Sequence, residues 1–144
     1  VTYSIVGKLK KAKTDLQKPA AEYSIQISSD ATNSALYNGR GWTYLWLGKC
    51  ESAESDFKKA IELDEKEPVH YDNLGIYWWI CRKNKEAALK WFEKSFQRGF
   101  DQWEGHYQET SDGHFLKGLN DTPEFKVLVK KYRKDLVPVT KTGK

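Results

Sequence analysis

The sequence predicts an all-α fold: a solenoid of antiparallel helix pairs, in about three units, closed by a C-terminal capping helix. Two observations lead to this prediction. Residues 37–64 match residues 71–99 in their large and small side chains at a separation of 34 or 35 positions, a period typical of stacked helix pairs. Within each segment these side chains recur every three or four positions, which indicates helices.

The matched positions indicate which side chains pack between helices. The pairs are Tyr37 with Tyr71, Gly41 with Gly75, Tyr44 with Trp78, Ala53 with Ala88, Phe57 with Phe92, and Ala60 with Ser95. The one-residue difference in spacing falls in the polar segment CRKNKE, where a turn accommodates an insertion. We expect the glycines to let a neighbouring helix approach closely and the aromatic residues, Trp78 included, to fill the core.

The same patterning sets the expected helices and units. Residues 19–30 parallel 53–64, which predicts an earlier unit whose first helix lies within residues 1–13. The predicted helices are about 2–13, 16–29, 34–48, 51–64, 68–82, 85–98 and 122–135. The predicted single domain, residues 1–136, has units 1–33, 34–67 and 68–99 and a cap at 100–136, followed by a disordered tail at 137–144.

The last predicted helix has the marks of a cap on the stack. Thr122 can cap its N-terminus and Pro123 suits its first position. A terminal unit of a solenoid exposes a face that a further repeat would cover, so an atypical end is expected. The apolar face that would lie on the helices of residues 68–98 consists of Phe125, Leu128, Val129, Tyr132 and Leu136.

The segments YDNLGIYW (71–78) and EAALKWFEKS (86–95) resemble the tetratricopeptide repeat (TPR) family. That family has a large residue, Leu-Gly and Tyr on the first helix, then Ala, Phe and a small residue on the second, and Pro68 fits the junction between units. Arg40 stands where Leu is usual, and Trp78 where Tyr is usual. Residues 97–132 are similar to the C-terminal segment of many bacterial TPR proteins, so the resemblance covers about residues 15–136.

Composition excludes several classes of protein. The net charge of +4 is spread over both ends of the chain without a dense basic face, so nucleic-acid binding is not expected. The apolar run of residues 74–81 is far shorter than the roughly 18 residues of a membrane helix. The sequence has no Met and begins at Val1, which leaves the compartment open between the cytoplasm and, if an export signal was removed, the bacterial periplasm. The oligomeric state is also open.

The sequence carries no sign of catalysis, a cofactor or a metal site. The three histidines are scattered, and the polar cluster around His106 and His114 reads as a solvated loop. No phosphate-binding or nucleophile motif occurs, so we expect a protein that is not an enzyme. Cys50 and Cys81 form no CxxC pair. They are expected to be buried or half-buried free thiols, with a disulfide as the alternative in an oxidising compartment.

The TPR resemblance implies that the first helices of the units line a concave surface that binds a peptide or helix of another protein. Trp42 and Trp46 lie four residues apart and share one helix face, and Trp79 would continue their aromatic strip. Asn38 and Asp72 would be polar handles for a bound backbone, with Asp72 attracting a Lys or Arg of the partner. The predicted partner-binding residues are Asn38, Trp42, Leu45, Trp46, Asp72, Ile76 and Trp79.

Two alternatives to an open binding groove remain at this point. The chain's own N-terminal segment could fill the groove, or its 100–120 region could.

A carboxylate clamp, known in some TPR proteins, is a different mode of binding. It would need basic residues that the last unit lacks, since only Lys8, Asn38 and Asn73 fit. The function implied is a protein-interaction module or scaffold. The alternative is a dedicated cognate partner, such as a bacterial immunity protein or secretion chaperone.

Overall fold

The computed structural model describes residues 19–100 and 116–132 of the chain. In these residues it contains six helices and no strand, which confirms the all-α prediction. The helices are α1 (residues 19–29), α2 (Ser34–Trp46), α3 (Cys50–Leu63), α4 (Pro68–Arg82), α5 (Lys85–Gln97) and α6 (Pro123–Tyr132). The predicted helix at 2–13 and the tail at 137–144 lie outside the described residues, and the division into units stays a prediction.

Local sequence signals start and end these helices. The side chains of Asn33 and Asn84 accept hydrogen bonds from the first-turn amides of α2 and α5, which satisfies donors that the helix leaves unpaired. Pro68 occupies the first position of α4, where its missing N–H costs nothing. Gly48 has a φ of 76° in the turn between α2 and α3, a conformation that favours glycine. These turns are short enough to fold the helices back on each other as adjacent pairs.

Glycine and phenylalanine set the spacing within the two helix pairs, α2 with α3 and α4 with α5. A Cβ added to Gly41 would lie 2.7 Å from the ring of Phe57, and one added to Gly75 would lie 2.5 Å from the ring of Phe92. Both rings are fully buried. The expected close approach at the glycines is therefore confirmed, and it is the same in both pairs.

The core differs from the prediction at two aromatic positions. Tyr44 and Trp78, both expected in the core, are only half-buried, whereas Tyr77, the neighbour of Trp78, is fully buried. The Tyr77 hydroxyl donates to Glu54 Oε1 at 2.9 Å and accepts from Arg82 Nε at 2.8 Å, so its polar end is satisfied inside the stack. Burial, together with the bond to Glu54, raises the pKa of Tyr77. Residue spacing alone did not reveal that these two partners were available.

Arg40 replaces the usual apolar residue of the repeat with an ion pair to a buried carboxylate, in which Arg40 itself is half-buried. Its guanidinium makes two 2.8 Å hydrogen bonds to the carboxylate of Asp56 on α3 and a third, of 3.1 Å, to Ser24 on α1. The bond to Asp56 raises the pKa of Arg40. A bidentate pair of this kind has fixed geometry, and it links three consecutive helices.

The two cysteines are joined in a disulfide, so the expectation of free thiols is wrong. Cys50 is the first residue of α3 and Cys81 the next-to-last residue of α4, and their Cα atoms lie 5.9 Å apart. Folding places the start of α3 and the end of α4 at the same end of the stack. A sequence separation of 31 residues gave no sign of this proximity.

The C-terminal helix α6 packs on α5 as the cap prediction requires. Thr122 Oγ1 accepts from the Phe125 amide at 3.3 Å, which confirms the predicted N-cap. The Phe125 ring meets Phe92 edge-on at 6.0 Å between centroids, and Leu128 is also buried. Glu93 of α5 accepts from the Tyr132 hydroxyl at 2.8 Å. Leu136, the last predicted contact, lies outside the described residues.

Candidate partner-binding surface

The predicted binding residues lie on α2 and α4, and hydrogen bonds tie these helices together. Trp42 Nε1 donates to Asn73 Oδ1 at 2.9 Å, and Asn73 Nδ2 in turn donates to Asn38 Oδ1. Asn73 is buried between the two helices. The sequence suggests a role for Asn73 only in a carboxylate clamp, whereas in the structure Asn73 links α2 and α4.

Three of the predicted binding residues are inaccessible. Leu45, Asp72 and Ile76 are at most 7% exposed, and Leu45 and Ile76 belong to the hydrophobic core. The expectation that they line an open groove is therefore corrected. The physical reason is that the side chains of Leu45 and Ile76 pack in the hydrophobic core and do not face an open groove.

The chain itself covers the α4 end of the expected aromatic strip. Trp79 Nε1 donates to the carbonyl oxygen of Lys117 at 3.3 Å, and a Cβ on Gly118 would lie 3.6 Å from the Trp79 ring. Leu116 and Leu119 on either side are fully buried in the core. The part of the 100–120 region that the structure describes, residues 116–119, therefore lies against Trp79.

The α2 side of the strip is more open. Trp46 is 49% exposed. Trp42 is half-buried, with its ring edge-on to Phe57 at 6.2 Å between centroids. Asn38, one turn earlier on the same face, is also half-buried. We call Asn38, Trp42 and Trp46 the α2 surface.

The histidines and the metal-ligand side chains of the described residues form no cluster. No group of three His, Cys, Asp or Glu side chains suited to a metal ion occurs in residues 19–100 and 116–132. His70 is buried, and this burial lowers the pKa of its imidazole. His106 and His114 lie outside the described ranges. None of the helices in those ranges has the length and apolar character needed to cross a bilayer.

Stacked helix pairs with repeated Gly–Phe contacts define a helical-repeat protein. Residues 34–67, which include α2 and α3, match the family model of the tetratricopeptide repeat. Together with the helices packed in adjacent pairs, this match supports the all-α helical repeat of the tetratricopeptide type that the sequence resemblance predicted. Searches of curated proteins and of solved structures found no significant match. Repeats of this family generally mediate protein–protein interactions, and the family is typically non-enzymatic.

Proposed function

We propose that the chain is a non-enzymatic interaction module that binds a peptide or helix of a partner protein on the α2 surface. The observation that carries this proposal is the exposure of Trp46, about half of whose side chain faces solvent. Tryptophan is among the residues that most often anchor protein interfaces. A large aromatic side chain that is half exposed is a candidate anchor of this kind.

The neighbouring residues support a binding role for this face. Asn38, Trp42 and Trp46 are spaced four residues apart along α2, so they form one stripe inclined to the helix axis. The stripe combines apolar ring surface with one polar amide, the mixture expected where a polypeptide is held by its side chains and its backbone. Because Trp79 is partly covered by residues 116–119, the proposed footprint is centred on α2 and no longer extends along α4.

Replacing Trp46 with Ala is expected to abolish capture of the partner without destabilising the fold. Loss of an interface anchor costs about 2 kcal/mol or more, which is roughly a 30-fold loss of affinity. The measurement is affinity capture from a lysate of the native host, followed by quantitative mass spectrometry. Proteins captured by the wild type and depleted at least tenfold with the Trp46→Ala variant are the expected result.

The matched control is Val127→Ala on α6. Val127 is 67% exposed. Its substitution by Ala therefore also removes exposed apolar surface, but on α6 and not on α2. This variant should capture the same proteins as the wild type, and both variants should keep its melting temperature. A capture profile that is unchanged by Trp46→Ala, or equally reduced by the two substitutions, would contradict the proposal.

A further inference from the structure

The disulfide joins two helix ends of opposite polarity. Cys50 is the first residue of α3, and the residue before it, Lys49, makes no side-chain hydrogen bond to the first-turn amides. These amides and the positive end of the helix dipole favour a thiolate at Cys50. Cys81 lies in the last turn of α4, at the negative end of that helix, where a thiolate gains no such stabilisation. The two sulfurs therefore differ as leaving groups, and Cys50 is the better one.

The surroundings of the bond are partly open and contain more cations than acids. Cys50 and Cys81 are both half-buried, and three residues that flank them in sequence are exposed: Lys49, Glu51 and Arg82. Reactive cysteines occur in partly exposed, electropositive surroundings, whereas inert structural cysteines are buried. A small thiol can therefore reach this bond in the folded protein.

The turn that follows Cys81 has an unfavourable backbone conformation. Within residues 19–100 and 116–132, Lys83 is the only non-glycine residue with a positive φ, 51°. At the end of α2 the corresponding left-handed residue is Gly48, which adopts this conformation at little cost. The Lys83 amide still donates to the Trp79 carbonyl at 3.1 Å, so the turn is formed but is less stable than its counterpart. The cross-link at Cys81, two residues earlier, anchors it.

We propose that Cys50 and Cys81 form a reversible redox switch that exchanges with a dithiol reductant, and that its reduction releases the last turn of α4. One thiolate of the dithiol attacks Cys81 Sγ, the S–S bond breaks, and its electron pair leaves on Cys50 Sγ as a thiolate. The second thiol of the reductant then attacks its own sulfur in the mixed disulfide and releases Cys81. The reductant ends as a disulfide, and the two protons that it gives up end on the two cysteines.

Reduction opens one end of the contact between α3 and α4 and leaves the next turn in place. Four residues before Cys81, the Tyr77 hydroxyl donates to Glu54 of α3 at 2.9 Å. This bond does not depend on the sulfurs and keeps the two helices together. The amides of Lys83 and Asn84, which donate to carbonyl oxygens of α4, lie beyond it. They lose protection from solvent when the anchor at Cys81 is gone.

The first test asks whether the bond exchanges in the folded protein. The rate of reduction by dithiothreitol is measured by alkylation and mass spectrometry at several urea concentrations below the unfolding transition. We expect a rate that is proportional to dithiothreitol and independent of urea, and oxidised glutathione should then restore the bond. A rate that rises exponentially with urea would show that reduction requires the unfolded chain, and this result, or a bond that does not re-form, would overturn the proposal.

The second test identifies the sulfur that is attacked. The oxidised protein is mixed with reduced glutathione, quenched early with acid and mapped by mass spectrometry. Glutathione should be found on Cys81 about tenfold more often than on Cys50, because the better leaving group departs. The matched control is the same reaction in denaturing urea, where α3 is absent and the preference should disappear. Equal adducts in the folded protein, or a preference that persists in urea, would contradict the role of the helix.

The third test locates the structural change by amide hydrogen exchange of the oxidised and reduced protein. On reduction, the amides of Lys83 and Asn84 should exchange about tenfold faster or more, since their turn has lost its anchor. The amide of Asp64 is the control, because it donates to Ala60 at the other end of α3, away from the disulfide. Its exchange should stay unchanged. Equal acceleration at all three amides, or at none, would show that reduction does not act on the last turn of α4.

Discussion

Truncation of the chain after Asn120 is expected to lower the free energy of unfolding by about 3–6 kcal/mol, as measured by urea denaturation. The truncation removes α6, whose Phe125 and Leu128 are buried against the stack. Burial of one large apolar side chain stabilises a fold by roughly 1.5–3 kcal/mol. The truncation also uncovers the Phe92 ring that Phe125 contacts, so the loss should fall on the last helix pair.

Point substitutions within α6 separate the cap from a general effect of shortening. Phe125→Ala should cost about 3–5 kcal/mol, as removal of a buried phenylalanine ring usually does. Val127→Ala, two residues along the same helix but on the exposed side, should stay within about 0.5 kcal/mol of the wild type. If the truncated protein melted at the temperature of the full chain, α6 would not be a cap.

Loss of the disulfide between Cys50 and Cys81 is expected to lower the free energy of unfolding by about 3.5 kcal/mol. The bond closes a loop across 31 residues of sequence, and the chain-entropy model assigns a cross-link of this size about that stabilisation. The measurement compares urea denaturation of the protein, folded without reductant, before and after reduction. Native disulfides persist in oxidising conditions, which is why reductant is left out during folding.

The double variant with Cys50→Ala and Cys81→Ala is the control for reduction. It should be less stable than the oxidised wild type by a similar amount, and adding a reductant should not change it further. Quantification of free thiols in denaturant should find none in the oxidised wild type. Two free thiols per chain, or denaturation curves that a reductant leaves unchanged, would show that the bond does not form.

Local patterns were sufficient to predict the helices and the contacts inside each pair. The three- and four-residue spacing around Gly41 and Gly75 predicted close packing, and the Phe57 and Phe92 rings occupy the expected space. The Thr122 cap was predicted for the same reason, since caps depend on residues only a few positions apart. Helix caps and contacts within one helix pair depend on residues that are close in the sequence. The spacing of residues within a repeat therefore indicates them directly.

Contacts between helix pairs were harder to predict, because they depend on residues that are distant in the sequence. Ile76 and Leu45 were assigned to an open groove, yet neighbouring segments bury them. Burial of Tyr77 depended on Glu54, a residue 23 positions away. One signal was present and unused: Arg40 at an apolar position of the repeat calls for a buried acid on the facing helix, and Asp56 supplies it.

Site-specific photo-crosslinking tests most directly whether a partner binds the α2 surface. The photoreactive amino acid benzoylphenylalanine replaces Trp46 in one protein and Val127 in another, two exposed positions on α2 and α6. Each protein is irradiated in lysate of the native host, and adducts are identified by mass spectrometry. The proposal predicts a discrete protein adduct from position 46 and none from position 127. Adducts from position 127 with none from position 46 would contradict it.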